Sequence, residues 1–291
     1  MKKITFVVLP ILMSACAGGS SSSDGSASTN AFTSWSATIS ANAPVTFTGG
    51  STSVMAIDGT SVQTDSDGTA TLALGGNGIF SSINAATPTN SVSFSAAKGD
   101  TLSSGFYQTS TIALNKAETT IGVFTNPTYY GFEYQTYGAW GAYGNATTSS
   151  NAVSVGSATP VTGLPATGSY TFTGGASGYY TDPSKLAYVT NATMTATASF
   201  DSRVVNFNTT GTYISGSPAG NAIPASDLNL AGTLTIASGA NKLSGNVTTV
   251  NGMTGNANGK FYGPTANEVG GTFAVSGSGL GTFVGGFGGK R

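Results

Sequence analysis

The feature that most limits the fold of this chain is a two-residue alternation of apolar and hydroxyl or amide side chains. From Leu228 to Ile236 the even positions hold Leu228, Leu230, Gly232, Leu234 and Ile236, and the odd positions hold Asn229, Ala231, Thr233 and Thr235. Thr190 to Phe200 repeats the pattern, with Ala192, Met194, Ala196, Ala198 and Phe200 opposite Asn191, Thr193, Thr195, Thr197 and Ser199. Successive strand side chains point to opposite faces, so each run reads as a half-buried antiparallel strand. No segment sustains a helical period. Turn signals recur at Asp58-Gly59, Asp67-Gly68, Lys98-Gly99-Asp100, Asp201-Ser202 and Asn251-Gly252. Short strands punctuated in this way predict an all-β chain, a sandwich or a barrel.

From Ser169 onward eight strands are expected, near 168–174, 189–200, 203–210, 228–237, 242–249, 254–262, 268–275 and 281–287. Eight is the number at which side chains just fill a barrel interior. Closure also removes the edges that so uncharged a sheet would otherwise expose. The apolar faces carry few aromatics suited to interfacial girdles, and the chain ends in Lys290-Arg291. Both points favour a barrel filled by apolar side chains over one that faces lipid.

The most specific stretch is Gly259 to Phe273, G-K-F-Y-G-P-T-A-N-E-V-G-G-T-F. Proline cannot donate to a ladder, so Gly263-Pro264 separates a strand ending at Phe261-Tyr262 from one beginning near Val269. Glu268, one of three glutamates in the chain, is expected to accept backbone or Lys/Arg hydrogen bonds. The stretch resembles the C-terminal barrel domain of transferrin-binding-protein-B-like surface lipoproteins, whose pattern is G-x-F-x-G-P-x-A-x-E-x-G-G-x-F. The matching positions are Gly259, Phe261, Gly263, Pro264, Ala266, Glu268, Gly270, Gly271 and Phe273, and the Gly/Phe-rich ending Gly285 to Arg291 is similar too. The resemblance implies an eight-stranded antiparallel barrel preceded by a β-rich handle domain. It also implies capture of a ligand, either a host protein such as transferrin or haem and its carriers, together with an outer-membrane transporter partner. Members of one fold serve different ligands, so it does not name the ligand here.

The N-terminus points to the same compartment. Lys2 and Lys3 precede a short apolar run, Ile4 to Met13, which is too short to span a bilayer. The ending Leu12-Met13-Ser14-Ala15-Cys16 resembles a lipobox, with Met13 where leucine is usual. It implies lipidation of Cys16 and cleavage before it; the plain alternative is an ordinary leader followed by a free cysteine. The expected organisation is therefore a signal peptide over 1–15, a lipidated Cys16 with a Gly/Ser tether over 16–30, a handle-like β domain over 31–155 and the barrel over 156–291. Within the handle, strand-like pieces fall at Val45–Phe47, Ala70–Leu74, Ser91–Phe94, Ile121–Phe124 and Gly131–Tyr137. Asn145 to Pro165, rich in Ser, Thr, Gly and Pro, reads as the connection.

Composition narrows the function. The chain has no histidine and one cysteine. That removes the commonest general base and the commonest transition-metal ligand, so no cofactor or metal site is expected. Charged residues make up 7% and the net charge is −1, which leaves no basic patch for nucleic acid. Serines and threonines are plentiful but have no activating histidine, and the acids show no paired motif, so an enzyme is not expected. Asp65-Ser66-Asp67-Gly68 resembles the start of a calcium loop without its closing glutamate and reads as a hairpin turn. The pairs Gly174-Gly175, Gly270-Gly271 and Gly285-Gly286 read as strand curvature or bulges, not phosphate loops.

The densest aromatic segment is Phe124 to Tyr143. Tyr129, Tyr130, Tyr137 and Trp140 are candidate ligand-binding residues, since large, rigid aromatics that also hydrogen-bond make good contact surfaces. A tyrosinate would serve as a haem-iron ligand in the absence of histidine. The competing reading places Phe132, Tyr134 and Trp140 in the handle core, with Tyr129-Tyr130 left at the surface. The chain thus reads as an outer-membrane, surface lipoprotein that binds a ligand. The alternatives are a structural surface lipoprotein without a dedicated ligand and a periplasm-facing solute-binding lipoprotein.

Overall fold

Strands of two to fifteen residues build two antiparallel sheets. The computed structural model describes residues 32–35, 44–57, 60–144 and 149–291, with side chains described outside 55–64. The leader, Cys16, the tether and the Asp58-Gly59 turn lie outside the described residues. Phe32–Arg291 clusters as one compact unit. Among the described residues no helix is long and apolar enough to cross a membrane.

The first sheet contains β1 (Val45–Ile57), β2 (Thr60–Leu74), β3 (Phe80–Ala86), β4 (Ser91–Ser95), β5 (Thr101–Gly105), β6 (Ser110–Leu114), β7 (Thr120–Thr125), β8 (Gln135–Ala142) and β9 (Ser150–Gly156). Sequence neighbours are sheet neighbours, β9 pairs back onto β1, and the ring stays open between β4 and β5. Every pairing is antiparallel. Alternation round nine strands therefore leaves β4 and β5 running the same way. Parallel neighbours need a long crossover, and the link Ala96–Asp100 is too short for one. So β5 continues from β4 instead of lying beside it. The Asp100 carboxylate holds this corner by accepting Ser95 N–H (2.8 Å) and Lys116 N–H (2.7 Å).

The second sheet contains β10 (Ser169–Thr181), β11 (Ala187–Ser199), β12 (Val204–Ser215), the two-residue β13 (Ile223–Pro224), β14 (Leu230–Ile236), β15 (Leu243–Thr249), β16 (Thr254–Tyr262), β17 (Glu268–Gly277) and β18 (Gly281–Lys290). Apart from β13, which sits beside β12, these strands form a closed ring of eight, because β11 pairs with both β10 and β12. All eight expected strands are present. The interior is filled by Phe172, Met194, Phe207, Leu234, Leu243, Phe261, Phe273 and Phe287, with the rings of Phe207 and Phe287 4.7 Å apart. Threonines and asparagines point outward. This is the reverse of a lipid-facing barrel.

Four local expectations are corrected. Asp67-Gly68 is not a turn: it lies inside β2, opposite Gly50 and Gly49 of β1, where a long curved hairpin continues through it. Asn145–Pro165 is not all connection, since Ser150–Gly156 forms β9. Its Ser and Asn content hid a strand paired on both sides with Ala152, Val153 and Val155 buried. The piece at Gly131–Tyr137 enters the sheet only at Gln135, because Pro127–Tyr130 forms one helical turn that Gly131 ends in the left-handed region. The Gly-Gly pairs are not bulges. Each lies in unbroken register on β10, β17 or β18, and the barrel's irregularity falls instead at Asn191/Thr193.

The glycines serve two interfaces at once. Along β18, Phe283, Gly285, Phe287 and Gly289 face inward, while Val284, Gly286, Gly288 and Lys290 face the handle. A Cβ at the inward Gly271 would lie 2.6 Å from the Phe287 ring, so glycine makes room for phenylalanine. Outward, register aligns three rows across β17, β18 and β10: Gly270–Gly288–Gly175, Thr272–Gly286–Ser177 and Ala274–Val284–Tyr179. The first is a trough without side chains, and Gln135 and Tyr137 of β8 lie in it. A Cβ at Gly288 would sit 2.6 Å from Gln135 Nε2 and 2.7 Å from Tyr137. The Gln135 amide donates to Val269 O at 2.8 Å. The second row bonds the handle through Thr52–Thr272 (2.7 Å) and Thr125–Ser177 (3.1 Å). The third packs against Val54, Ile121, Val123 and Ala139.

At the end of these rows Glu268 is buried, and its carboxylate accepts Glu133 N–H at 2.6 Å and Tyr134 N–H at 3.2 Å. Lys290, its register partner, donates to Gly131 O at 2.7 Å. Arg291 reaches back to Thr265 O at 2.8 Å and closes the Gly263-Pro264 turn. These bonds tie the handle to the barrel at this end.

Candidate functional site

The hairpin joining β5 and β6 turns through Phe106, Tyr107 and Gln108, with φ of 47°, 60° and 73°. Three consecutive non-glycine residues in the left-handed region are each strained by about 1–2 kcal/mol. Such outliers persist only where the surroundings over-determine them. Here Phe106 is buried as an anchor, and its carbonyl accepts the Thr109 hydroxyl at 2.8 Å. The buried Asn126 amide donates to Gln108 O at 2.9 Å, and its carbonyl accepts the Thr111 hydroxyl at 2.7 Å. Tyr107 is thrust outward at 78% exposure, with its ring edge-on to Tyr213 of the barrel at 6.4 Å.

Asn126 also begins the neighbouring helical turn, Pro127–Tyr130. Pro127 suits its first position because the missing N–H would be unpaired there in any case. The turn presents Tyr129 at 54% exposure. Tyr130 is half-buried, stacked on Phe132 at 5.3 Å, and its hydroxyl occupies the space above Gly175. Burial, with a smaller contribution from Tyr129, raises the Tyr130 phenol to about 12. Tyr137 is fully buried in the glycine trough, and burial holds its phenol well above 10. Burial thus disfavours the ionised form of both phenols. Trp140 is buried in the handle core, stacked on Phe124 at 6.3 Å. The structure thus brings Tyr129 and Tyr130 to one surface and places Tyr137 and Trp140 in the interior.

Tyr107 and its strained loop escaped the sequence reading. Gly105-Phe106-Tyr107-Gln108-Thr109 carries none of the Asn, Asp or Gly signals of a left-handed turn after Gly105, and reads as strand. The strain makes a prediction. Tyr107→Gly is expected to raise the unfolding free energy by about 0.5–1 kcal/mol, the relieved strain less glycine's extra chain entropy. The same change would remove the exposed ring. A thermal melt reads the first effect.

The sequence of the C-terminal sheet agrees with a defined group of proteins. Residues 164–291 match the family model described as the C-lobe and N-lobe beta barrels of Tf-binding protein B. These residues are similar to a transferrin-binding-protein-B barrel. No curated protein sequence matches the chain. Similar solved structures include a double mutant of transferrin-binding protein B from Haemophilus parasuis Hp5, at 15% identity over 84% of this chain and 44% of that one, with a TM-score of 0.47. The intact Ap-TbpB, with N and C lobes, is 14% identical over 84% of this chain and 46% of that one, TM-score 0.47. Isotype 1 transferrin-binding protein B from serogroup B Neisseria meningitidis is 12% identical over 86% and 77%, TM-score 0.41. This chain spans under half the length of the first two. Of the motif positions, Phe261, Ala266 and Phe273 fill the barrel. Gly263 makes room for Tyr134, while Glu268 and Gly270 receive the handle.

Proposed function

We propose that this chain is a surface-exposed outer-membrane lipoprotein that captures a protein or haem-type ligand for uptake, without catalysis. Lipid on Cys16 and the Gly/Ser tether would hold the module at the membrane, and a transporter partner would receive the cargo. The contact is made by the handle end carrying Tyr107, Tyr129 and Tyr130. The observation that carries this reading is the strained loop Phe106–Gln108, which holds Tyr107 in solvent while its Gln108 lines one cleft with the exposed Tyr129. Backbone strain maintained where an aromatic ring is exposed is typical of recognition sites. The family match supports capture as the activity class.

Burial of Tyr137 and Trp140 reduces the aromatic surface and is equally expected of a structural lipoprotein with no ligand. The two readings part at the tip, because only capture requires the exposed face of Tyr107. The test is retention by the immobilised whole chain of transferrin, lactoferrin, haemoglobin, haem or a component of an environmental extract. Capture predicts that one component is held, with retention falling at least about tenfold in Tyr107→Ala/Tyr129→Ala. No retention by a folded chain would favour the structural reading. Protease shaving of intact cells that leaves the protein untouched would favour the periplasm-facing one.

A further inference from the structure

Three loops at this end of the handle enclose a cleft of about 370 Å³, lined among others by Asn77, Ser104, Gln108, Asn126, Thr128 and Tyr129. We infer that it binds a neutral sugar ring, the terminal pyranose of a glycan. No lining residue is charged, so an ionic ligand finds no counter-charge there. The walls offer amides and hydroxyls that both donate and accept, as the hydroxyls of a sugar do. Tyr129 adds an exposed aromatic face against which the C–H face of a pyranose packs, with its hydroxyl free to bond at the rim.

The cleft is built in advance. Asn126 fixes the Gln108 carbonyl at 2.9 Å, and the Thr128 hydroxyl ties its loop to Gly78 O at 3.4 Å. Asn77 Oδ1 accepts Ile79 N–H at 3.3 Å and so holds its turn. Prior ordering of this kind lowers the entropic cost that makes weak, hydroxyl-rich ligands hard to hold. The inference rests on the reading of this handle end as the capture face, and it names the chemistry recognised there.

The test is saturation-transfer NMR on the whole protein with maltotriose, N-acetyllactosamine and N,N′-diacetylchitobiose, and with N-acetylneuraminic acid as a charged comparison. Transfer to at least one neutral sugar is expected, weakened about tenfold in Tyr129→Ala and in Gln108→Ala, both at exposed positions, with melting unchanged. If that sugar also releases the retained component in the capture assay, the source is a glycoprotein glycan. If it binds without releasing anything, the source is a free saccharide. No transfer to any neutral sugar, or transfer unaltered by both substitutions, overturns the inference. Capture that persists and depends on Tyr107 would then leave the capture reading standing alone.

Discussion

Valine at both Gly270 and Gly288 is expected to destabilise the protein by about 4 kcal/mol and to loosen the handle from the barrel, given about 1–3 kcal/mol for overpacking at each site. The trough has no slack. A Cβ at Gly270 would overlap the Gln135 carbonyl oxygen, and one at Gly288 would press on the Gln135 amide and the Tyr137 ring. Gln135 cannot withdraw cheaply, because its amide is the partner of Val269 O and lies wholly buried. A loss of this size lowers the melting temperature by about 10 °C in a protein of this length. Limited proteolysis should then cut between the two sheets, near Ser157 to Gly168. Gly50→Val, where nothing lies within 4 Å of an added Cβ, should change stability by less than about 0.5 kcal/mol. Equal melting of the trough and control variants would contradict this account of the interface.

The native state is expected to lose about 3 kcal/mol of stability as pH rises from near 4.5 to near 7, through Glu268 alone. Burial pushes the Glu268 carboxyl from 4.5 up to about 7, against the pull of Glu133 N–H, Tyr134 N–H and the Lys290 ammonium; the Glu133 carboxylate opposes ionisation slightly. The unfolded chain releases this proton near 4.5 and the native chain near 7. Between those values the native state binds more protons, so its stability falls with rising pH and levels off above the native value. Glu268→Gln removes the titration while keeping one acceptor for the two N–H groups, at a pH-independent cost of about 1 kcal/mol. Urea unfolding at about pH 5 and about pH 8 should show the wild type losing about 2–3 kcal/mol more than the variant. Parallel profiles would show that Glu268 ionises at its ordinary value.

The barrel was legible because one face of each strand is buried and the other is wet, and alternation reports that condition directly. Its eight strands were expected from the sequence, and so was Glu268 as an acceptor of backbone N–H groups. The handle was less legible. In β8 and β9 both faces are buried, one in the handle core and the other against the barrel, so alternation disappears. Ser150 to Gly156 then resembles a linker, and the aromatics Tyr137 and Trp140 look available when each fills an interior. The glycine pairs were legible as special but not as a docking surface. Their meaning lies in register across three strands, and no single strand carries it. Tyr107 was hidden for a different reason. Its left-handed backbone is imposed by Asn126 and Thr109, contacts that no local pattern displays.

The measurement that bears most directly on the central claim is hydrogen exchange on the whole chain with and without the component it retains. Binding through the strained aromatic tip predicts new protection at 104–109 and 126–131, with the barrel strands unchanged. Protection confined to the barrel turns at 217–222, 238–241 and 250–252, with 104–109 exchanging as before, would contradict it.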